Sequence, residues 1–390
     1  MTTTKFINFG CWNKYGCSLE SGIKKVVEEL LKQTNVKFSI VNGDNYYQEK
    51  TKGDEESVKK VNEMDLLRGM KCLNQWTDNE IYLLMGNHDL EITDGKCETM
   101  SFERAFVEGV NSQAKREKII IPTNLTMFKT FQETLIIMMD TNIYADEDTY
   151  CYRKLLDEIN DEQSNNNEQL QKLKNKQRNT IENYLTKGSN KHYRNIIVCG
   201  HHPLIGFKNQ QMKKDKLKNK VKIKGGIDAY NVELYQLLSE VIRPHGEQFF
   251  YLCADIHNYQ KGTVTINQHK GQIESIMTIQ QYVVGTGGAD LDDDYNEKYS
   301  PNYCLTESPL NTPPVTMANI DITPELSLTY QVLEHWSNYG FIVVEIDPSD
   351  NIVVTPVQIG KSVNSGGRLF SKRKKYYLFN NKKTRKNKKN

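Results

Sequence analysis

Five short segments of this chain concentrate groups that can bind metal ions. They are Gly10-Cys11-Trp12-Asn13, Gly43-Asp44-Asn45-Tyr46-Tyr47, Gly86-Asn87-His88-Asp89, Gly200-His201-His202-Pro203 and Ala254-Asp255-Ile256-His257-Asn258. A mixture of carboxylate, amide and imidazole donors suits Mn, Fe or Zn better than Ca. The donors are too many for one tetrahedral zinc, so they suit two metals that share a bridging carboxylate. Each segment alone has a plainer reading. Gly-Asp-Asn is a common turn, His201-His202 could be a packed pair, and Gly-Asn-His-Asp could be a turn in which Asp89 orients His88. The set is harder to explain that way, because every segment follows an apolar run.

Those runs read as strands: Phe6 to Phe9, Val36 to Val41, 81–85, 195–199 and 249–253 precede the five polar segments, and 135–139 adds a sixth. Most are continuously apolar, as in strands buried on both faces. Ligand sites of α/β sheets lie outside the carboxyl ends of the strands. Glycine before the polar group lets the chain turn sharply and return the side chain over the strand end. In residues 22–33, Ile23, Val26, Val27, Leu30 and Leu31 follow one-sided helical spacing, with Ser21 as N-cap. Residues 153–187 are apolar at both ends and polar between, which predicts an exposed helical insertion with a loop near 164–167. Further strands are expected at 263–266, 275–285, 341–346 and 352–357, and a surface loop within 287–336. Strand–helix alternation followed by mostly strands predicts an α/β fold of two packed sheets.

Composition bounds the chain further. Of 390 residues, 37% are apolar, enough for a sizeable core. No apolar run approaches the roughly 18 residues that span a bilayer. The first residues show no basic segment followed by an apolar one, so no signal peptide is expected. Eight cysteines without regular spacing then predict reduced thiols in a soluble, intracellular protein, with the sequon at Asn124 unglycosylated. Charge is uneven. Residues 361–390 hold twelve Lys or Arg and no Asp or Glu, leaving 39 basic against 49 acidic residues in 1–360. Such a tail is either a solvated, disordered segment or an arm for a polyanion such as nucleic acid or an acidic protein surface.

The five segments resemble the motifs of the calcineurin-like metallophosphoesterases, and within them the purple acid phosphatases, over most of residues 5–360. Gly43-Asp44-Asn45-Tyr46-Tyr47, Gly86-Asn87-His88-Asp89 and Gly200-His201-His202-Pro203 match three family motifs in full. The segment 253–260 matches a fourth in part, and the glycine-rich 283–289 is similar to a later family segment. The resemblance implies a four-layer α/β/β/α sandwich of two packed mixed sheets over 1–360. It also implies two divalent or mixed-valence transition metals, iron with zinc, manganese or a second iron.

One metal would take Cys11, Asp44, Tyr47 and His257; the other would take Asp44, Asn87, His201 and Asp255. Tyr47 stands where purple acid phosphatases place a tyrosinate. Two positions depart from the pattern: Cys11 replaces an Asp, and Asp255 replaces a His. Either can still coordinate, or Cys11 can be a buried thiol and Asp255 a bystander. The implied activity is hydrolysis of a phosphate monoester by a hydroxide bridging the metals. His88 would protonate the leaving group with Asp89 fixing its tautomer, His202 would contact phosphate or serve as an alternative acid, and Asn258 would orient a ligand. The two departures also fit a second reading, a weakened or inactive member of the family that acts as a binding or scaffold module. A third, a phosphodiesterase or nuclease, is disfavoured by Tyr47.

Overall fold

The computed structural model describes residues 2–14, 16–17, 21–50, 59–76, 79–91, 97–115, 118–122, 124–145, 151, 166–189, 191–215, 220–229, 232–270, 272–291, 304–306 and 315–359. The basic tail 361–390 and residues 152–165 of the expected insertion lie outside them.

The chain begins with β1 (Thr4–Phe9), α1 (Gly22–Leu30), β2 (Phe38–Val41) and a short ribbon of β3 (Glu49–Lys50) and β4 (Lys59–Lys60). Then come α2 (Glu63–Trp76), β5 (Glu80–Leu83), α3 (Glu98–Ala114), β6 (Ile119–Ile120), β7 (Thr126–Phe131), β8 (Thr134–Met139), α4 (Asn166–Asn183) and β9 (Tyr193–Cys199). A second ribbon of β10 (Ile205–Asp215) and β11 (Lys220–Ala229) leads to α5 (Val232–Gln236) and β12 (Gly246–Cys253). The last strands are β13 (Tyr259–Lys270), β14 (Gln272–Val284), β15 (Cys304–Thr306), β16 (Val315–Thr323), β17 (Leu326–Trp336), β18 (Gly340–Ile346) and β19 (Ile352–Gln358).

Two mixed sheets result. The first runs β19-β18-β1-β2-β5-β6, the second β15-β16-β17-β13-β14-β12-β9-β8-β7. Strands β1, β2, β5 and β6 are mutually parallel, as are β8, β9, β12 and β14. Alternation along β8 shows how the layers stack. Ile136 and Met138 join a core with both sheets, α1 and α2. Leu135, Ile137 and Met139 join a core with α4 and α5 on the opposite face. Period-two alternation in a strand buried on both faces therefore gives helix, sheet, sheet, helix.

Helix α1 forms where its spacing predicts, but it ends at Leu30, and Leu31, expected on the apolar face, is exposed. Ser21 Oγ accepts the Lys24 N–H at 3.4 Å, and Ile23, Val26, Val27 and Leu30 are buried, each stabilising the fold by about 1.5–3 kcal/mol.

Three expectations need correction. Helix α4 is a packing helix rather than an exposed insertion. Leu170, Leu173 and Ile181 are buried against the second sheet. Its sequence looked polar because Gln177 sits in the same face and donates to the Leu125 and Asp140 carbonyls at 2.8 and 3.0 Å. Residues 315–336, where no strand was expected, form β16 and β17. Four cysteines are paired, Cys17 with Cys72 and Cys97 with Cys151, at Cα–Cα distances of 5.9 and 5.8 Å. Their spacing looked irregular because the partners come from different elements. Among the described residues no helix is long and apolar enough to cross a membrane.

Alkylation of the unfolded, unreduced chain should leave Cys17, Cys72, Cys97 and Cys151 unlabelled. Labelling of these four, read by mass spectrometry, would contradict both pairs.

Candidate metal centre

Parallel strands put their carboxyl ends on one edge. The ends of β1, β2, β5, β8, β9 and β12 are followed by Cys11, Asp44, Asn87, Thr141, His201 and Asp255 in turn. Backbone hydrogen bonds stitch these turns together. The Cys11 N–H donates to the Gly43 carbonyl at 3.0 Å, the Ala254 N–H to the His201 carbonyl at 2.8 Å, and the Ala289 N–H to the Cys11 carbonyl at 2.9 Å. The last of these brings the glycine-rich segment 283–289 alongside the first strand.

Three site residues share an uncommon conformation. Cys11, Asp44 and Asp255 have φ of 53°, 52° and 59°. This left-handed region is sterically disfavoured for residues other than glycine, at about 1–2 kcal/mol each. It turns each side chain back over its strand end. Cys11 and Asp255, the two departures from the family pattern, therefore adopt the same backbone geometry as Asp44. Two glycines make the crowding possible. Gly43 has φ of +83°, and a Cβ there would lie 2.7 Å from His201 Nδ1; a Cβ on Gly86 would overlap the Asp44 amide and carboxylate.

Asp44 is the hub and is only 1% exposed. Its Oδ2 accepts the Tyr47 hydroxyl at 2.8 Å and lies 3.8 Å from Cys11 Sγ. Its Oδ1 accepts the His88 N–H at 3.1 Å and lies 3.3 Å from His201 Nε2. His201 Nε2 is also 3.1 Å from Asn87 Oδ1 and 4.0 Å from Asp255 Oδ1. The Tyr47 hydroxyl is 2.9 Å from His257 Nε2. Asp44, Tyr47, Asn87, His201 and His257 thus form one connected cluster, with Cys11 and Asp255 at its margins. Donor atoms of Cys11, Asp44 and His201 lie within 4.8 Å of one another, and so do those of His201, His202 and Asp255.

The donor set fits cations. His201 Nδ1 is 2.6 Å from the Asn42 carbonyl, and His257 Nδ1 is 2.6 Å from the Asp290 carbonyl. A carbonyl only accepts, so each Nδ1 carries a proton and each Nε2 is directed at the cluster. His201 Nε2 faces the Asn87 and Asp44 oxygens, a contact made by a proton on Nε2 or, in its place, by a metal ion. The Tyr47 hydroxyl has one proton between Asp44 Oδ2 and His257 Nε2.

Electrostatics agree. Burial alone would raise the Asp44 carboxyl, but His201, His88 and the Tyr47 hydroxyl outweigh it and hold its pKa below the ordinary value. Burial and the Asp44 charge push the Cys11 thiol and the Tyr47 phenol well above theirs. Both must lose a proton to a metal on coordination.

The remaining sequence-derived residues fall differently. Asp89 does not orient His88. Its carboxylate accepts the Gly86 and Asn45 N–H groups, each at 2.7 Å, the Tyr46 N–H at 3.3 Å and the Asn45 side-chain amide at 3.0 Å. It pins the Asp44 turn to the Asn87 turn. Glu91, missed in the sequence, takes the expected role, with its Oε1 2.9 Å from His88 Nδ1. An acidic residue three positions after the histidine was the available signal. Asn258 Oδ1 accepts from Gln260 at 2.9 Å. His202 lies beside His201, with Nδ1 3.1 Å from Thr141 Oγ1. Thr141 was also missed. Its hydroxyl accepts the N–H of both His201 and His202 at 3.0 Å, and Asp140-Thr141 follows β8 as the other polar pairs follow their strands.

A family model for calcineurin-like phosphoesterases matches residues 5–230. The chain belongs to that family of metal-dependent phosphoesterases. Two solved structures are similar. Purple acid phosphatase from yellow lupin (Lupinus luteus) seeds shares 10% identity with a TM-score of 0.46, over 92% of this chain and 52% of that one. PhoD shares 12% identity with a TM-score of 0.44, over 94% of this chain and 73% of that one. The chain spans about half the length of the lupin protein. No curated protein gives a significant match.

Two outcomes test this geometry. Gly86→Ala should destabilise the fold by about 1–3 kcal/mol through overpacking, read as a lower urea midpoint; an unchanged midpoint would contradict the contact with Asp44. The second concerns Glu103, fully buried on α3. Burial, then the neighbouring Asp89 charge, raises its pKa well above 4.5. The folded chain therefore holds a proton that the unfolded chain releases above about pH 4.5. Stability should fall as pH rises through this window, by at most about 1.4 kcal/mol per pH unit. Glu103→Gln should flatten that slope; an identical slope would contradict it.

Proposed function

We propose that this chain hydrolyses phosphate monoesters with a pair of transition metals held over the strand ends. Cys11, Asp44, Tyr47 and His257 would hold one ion, and Asp44, Asn87, His201 and Asp255 the other. The observation that carries this reading is the orientation of His201. With its Nδ1 proton committed to the Asn42 carbonyl, its Nε2 is directed at Asn87 Oδ1 and Asp44 Oδ1, where a metal ion can take the place of a proton. Bound metals would supply a nucleophile from water near neutral pH and neutralise charge on the phosphoryl oxygens.

The chain's own residues do the rest. Asp44 shares one carboxylate between the two donor sets. Asp89 fixes the relative position of the Asp44 and Asn87 turns through their backbone amides. His88 stands at the rim, with its side chain 30% exposed. Burial would lower its pKa, but Asp44 and Glu91 outweigh burial and raise it. It therefore keeps its proton to higher pH than an ordinary histidine and can donate it to the leaving alkoxide. Cys11 and Asp255 keep the donor count intact, because their backbones already turn as Asp44 does. The alternative, a chain that keeps the fold as a binding module, draws on the thiol at position 11. A thiol so far above its usual pKa gives up its proton reluctantly.

Elemental analysis of protein purified without chelators should find close to two transition metals per chain, and metal-dependent turnover of an aryl phosphate. Asp44→Asn should lower that turnover at least about a hundredfold. Metal-free, inactive protein that cannot be reconstituted would favour the binding module. Glu91→Gln removes a charge that raises His88, so the alkaline limb of kcat/KM should move to lower pH. An unmoved limb would remove His88 from the acid role.

A further inference from the structure

The two neighbouring histidines after β9 meet different kinds of atom at Nδ1. His201 Nδ1 is 2.6 Å from the Asn42 carbonyl, which only accepts, so a proton sits on that nitrogen. His202 Nδ1 is 3.1 Å from the Thr141 hydroxyl, which can accept or donate. The other bonds of that hydroxyl decide which. Its oxygen already takes the N–H of His201 and the N–H of His202, each at 3.0 Å. A hydroxyl has two lone pairs and one proton. Both lone pairs are occupied, so the Thr141 proton goes to His202 Nδ1. A neutral His202 ring then carries its own proton on Nε2.

The surrounding frame holds both partners in place. Thr141 is fully buried, and a Cβ on Gly200 would lie 2.5 Å from its Cγ2, so its methyl packs against the turn before His201. The turn that carries Thr141 is tied down at either side. Asp140 Oδ1 accepts the Asn142 N–H and the Asn142 side-chain amide, each at 2.9 Å, and that amide also donates to the Met85 carbonyl at 3.0 Å. His202 is buried as well, and its carbonyl accepts the Tyr251 hydroxyl at 2.9 Å. Its ring meets the His201 ring edge to face, with centroids 4.9 Å apart. One nitrogen of each ring and an Asp255 carboxylate oxygen lie within 4.8 Å of one another. By spacing alone those three groups would pass for a metal site.

We infer that His202 serves this centre as an N–H donor to an oxyanion and not as a metal ligand, and that Thr141 is the positioning residue that sets this polarity. A nitrogen that carries a proton has no lone pair for a cation, but it binds the lone pair of an anion. The proposed reaction brings one anion to this place, the phosphoryl group, whose oxygens would be drawn to the donors beside His202. Two adjacent histidines thus divide the work through opposite tautomers. His201 can present a lone pair at Nε2 and His202 presents a proton there, because a carbonyl faces one Nδ1 and a hydroxyl with filled lone pairs faces the other. The identity of the oxyanion rests on the phosphoesterase reading. The tautomer of His202 and the role of Thr141 do not.

The test reads the His202 ring of the full, metal-free chain by long-range proton–nitrogen correlation NMR. It is run at about pH 8, above the ordinary imidazole range, with the signal assigned from its loss in His202→Leu. Nε2 should carry the proton and Nδ1 none, both in the parent and in Thr141→Ser, which keeps the hydroxyl. Thr141→Val removes the hydroxyl at nearly constant shape and should move the ring proton in part to Nδ1. A proton on Nδ1 in the parent would overturn the proposal, and so would an unchanged pattern in folded Thr141→Val. Should the valine variant not fold, the parent and serine spectra decide. The metal-loaded chain supplies the second readout. His202→Leu should keep the parent's metal content while inorganic phosphate, as inhibitor of aryl phosphate turnover, binds about tenfold more weakly or worse. Thr141→Ser should bind it as the parent does. Loss of metal from His202→Leu would make His202 a ligand, and unchanged phosphate inhibition would remove it from the oxyanion; either overturns the proposal. Failure of the phosphoesterase reading would show instead as no turnover in any of these proteins while the tautomer pattern stood.

Discussion

A carboxylate taken out of water must be surrounded by positive charge or by protons, and Asp44 is such a group at 1% exposure. The centre is arranged around this constraint. The His88 amide and the Tyr47 hydroxyl donate to it, and His201 faces it at 3.3 Å. An isolated buried charge is very costly; on the proposed reading, cations bound at these donors would offset that cost. The left-handed backbone at Cys11, Asp44 and Asp255 has the same origin. Strain is retained where the donors must converge.

The supporting frame is built from ordinary material. Parallel strands align their ends, glycines at 43 and 86 allow the turns to touch, and Asp89 ties two of those turns together by accepting backbone N–H groups. The disulfides act nearby. Cys17–Cys72 fastens the segment after Cys11 to α2, where Asn13 also donates to the Leu66 carbonyl at 3.1 Å. Cys97–Cys151 ties the start of α3 to the segment that follows β8. The two covalent ties therefore flank chain segments that carry or adjoin site residues.

Much of this was legible in the sequence, for identifiable reasons. Buried parallel strands read as continuous apolar runs, and the glycine plus polar group after each run marked the edge where they converge. Helix α1 was legible because its apolar face and its Ser21 cap are both local signals. What was not legible depends on contacts distant in sequence. The Asp89 side chain could have turned to His88, but four N–H donors gathered by the fold claim it. Glu91 then takes the imidazole. Helix α4 hid its packing face behind Gln177, whose amide satisfies two buried carbonyls. Strand β17 did carry a local signal, because Leu326, Leu328, Tyr330 and Val332 alternate with polar residues and are buried. The disulfides could not be read from spacing, since each partner arrives from a different element.

On the proposed reading these donors receive metal ions, with the Cys11 thiol and the Tyr47 phenol protonated until an ion arrives. Calorimetric titration of zinc into metal-free protein at pH 7, repeated in buffers of different ionisation enthalpy, measures the protons released on binding. Net release of at least one proton per chain is expected, diminished in Cys11→Ala. Binding without proton release, or no binding to the folded chain, would contradict it.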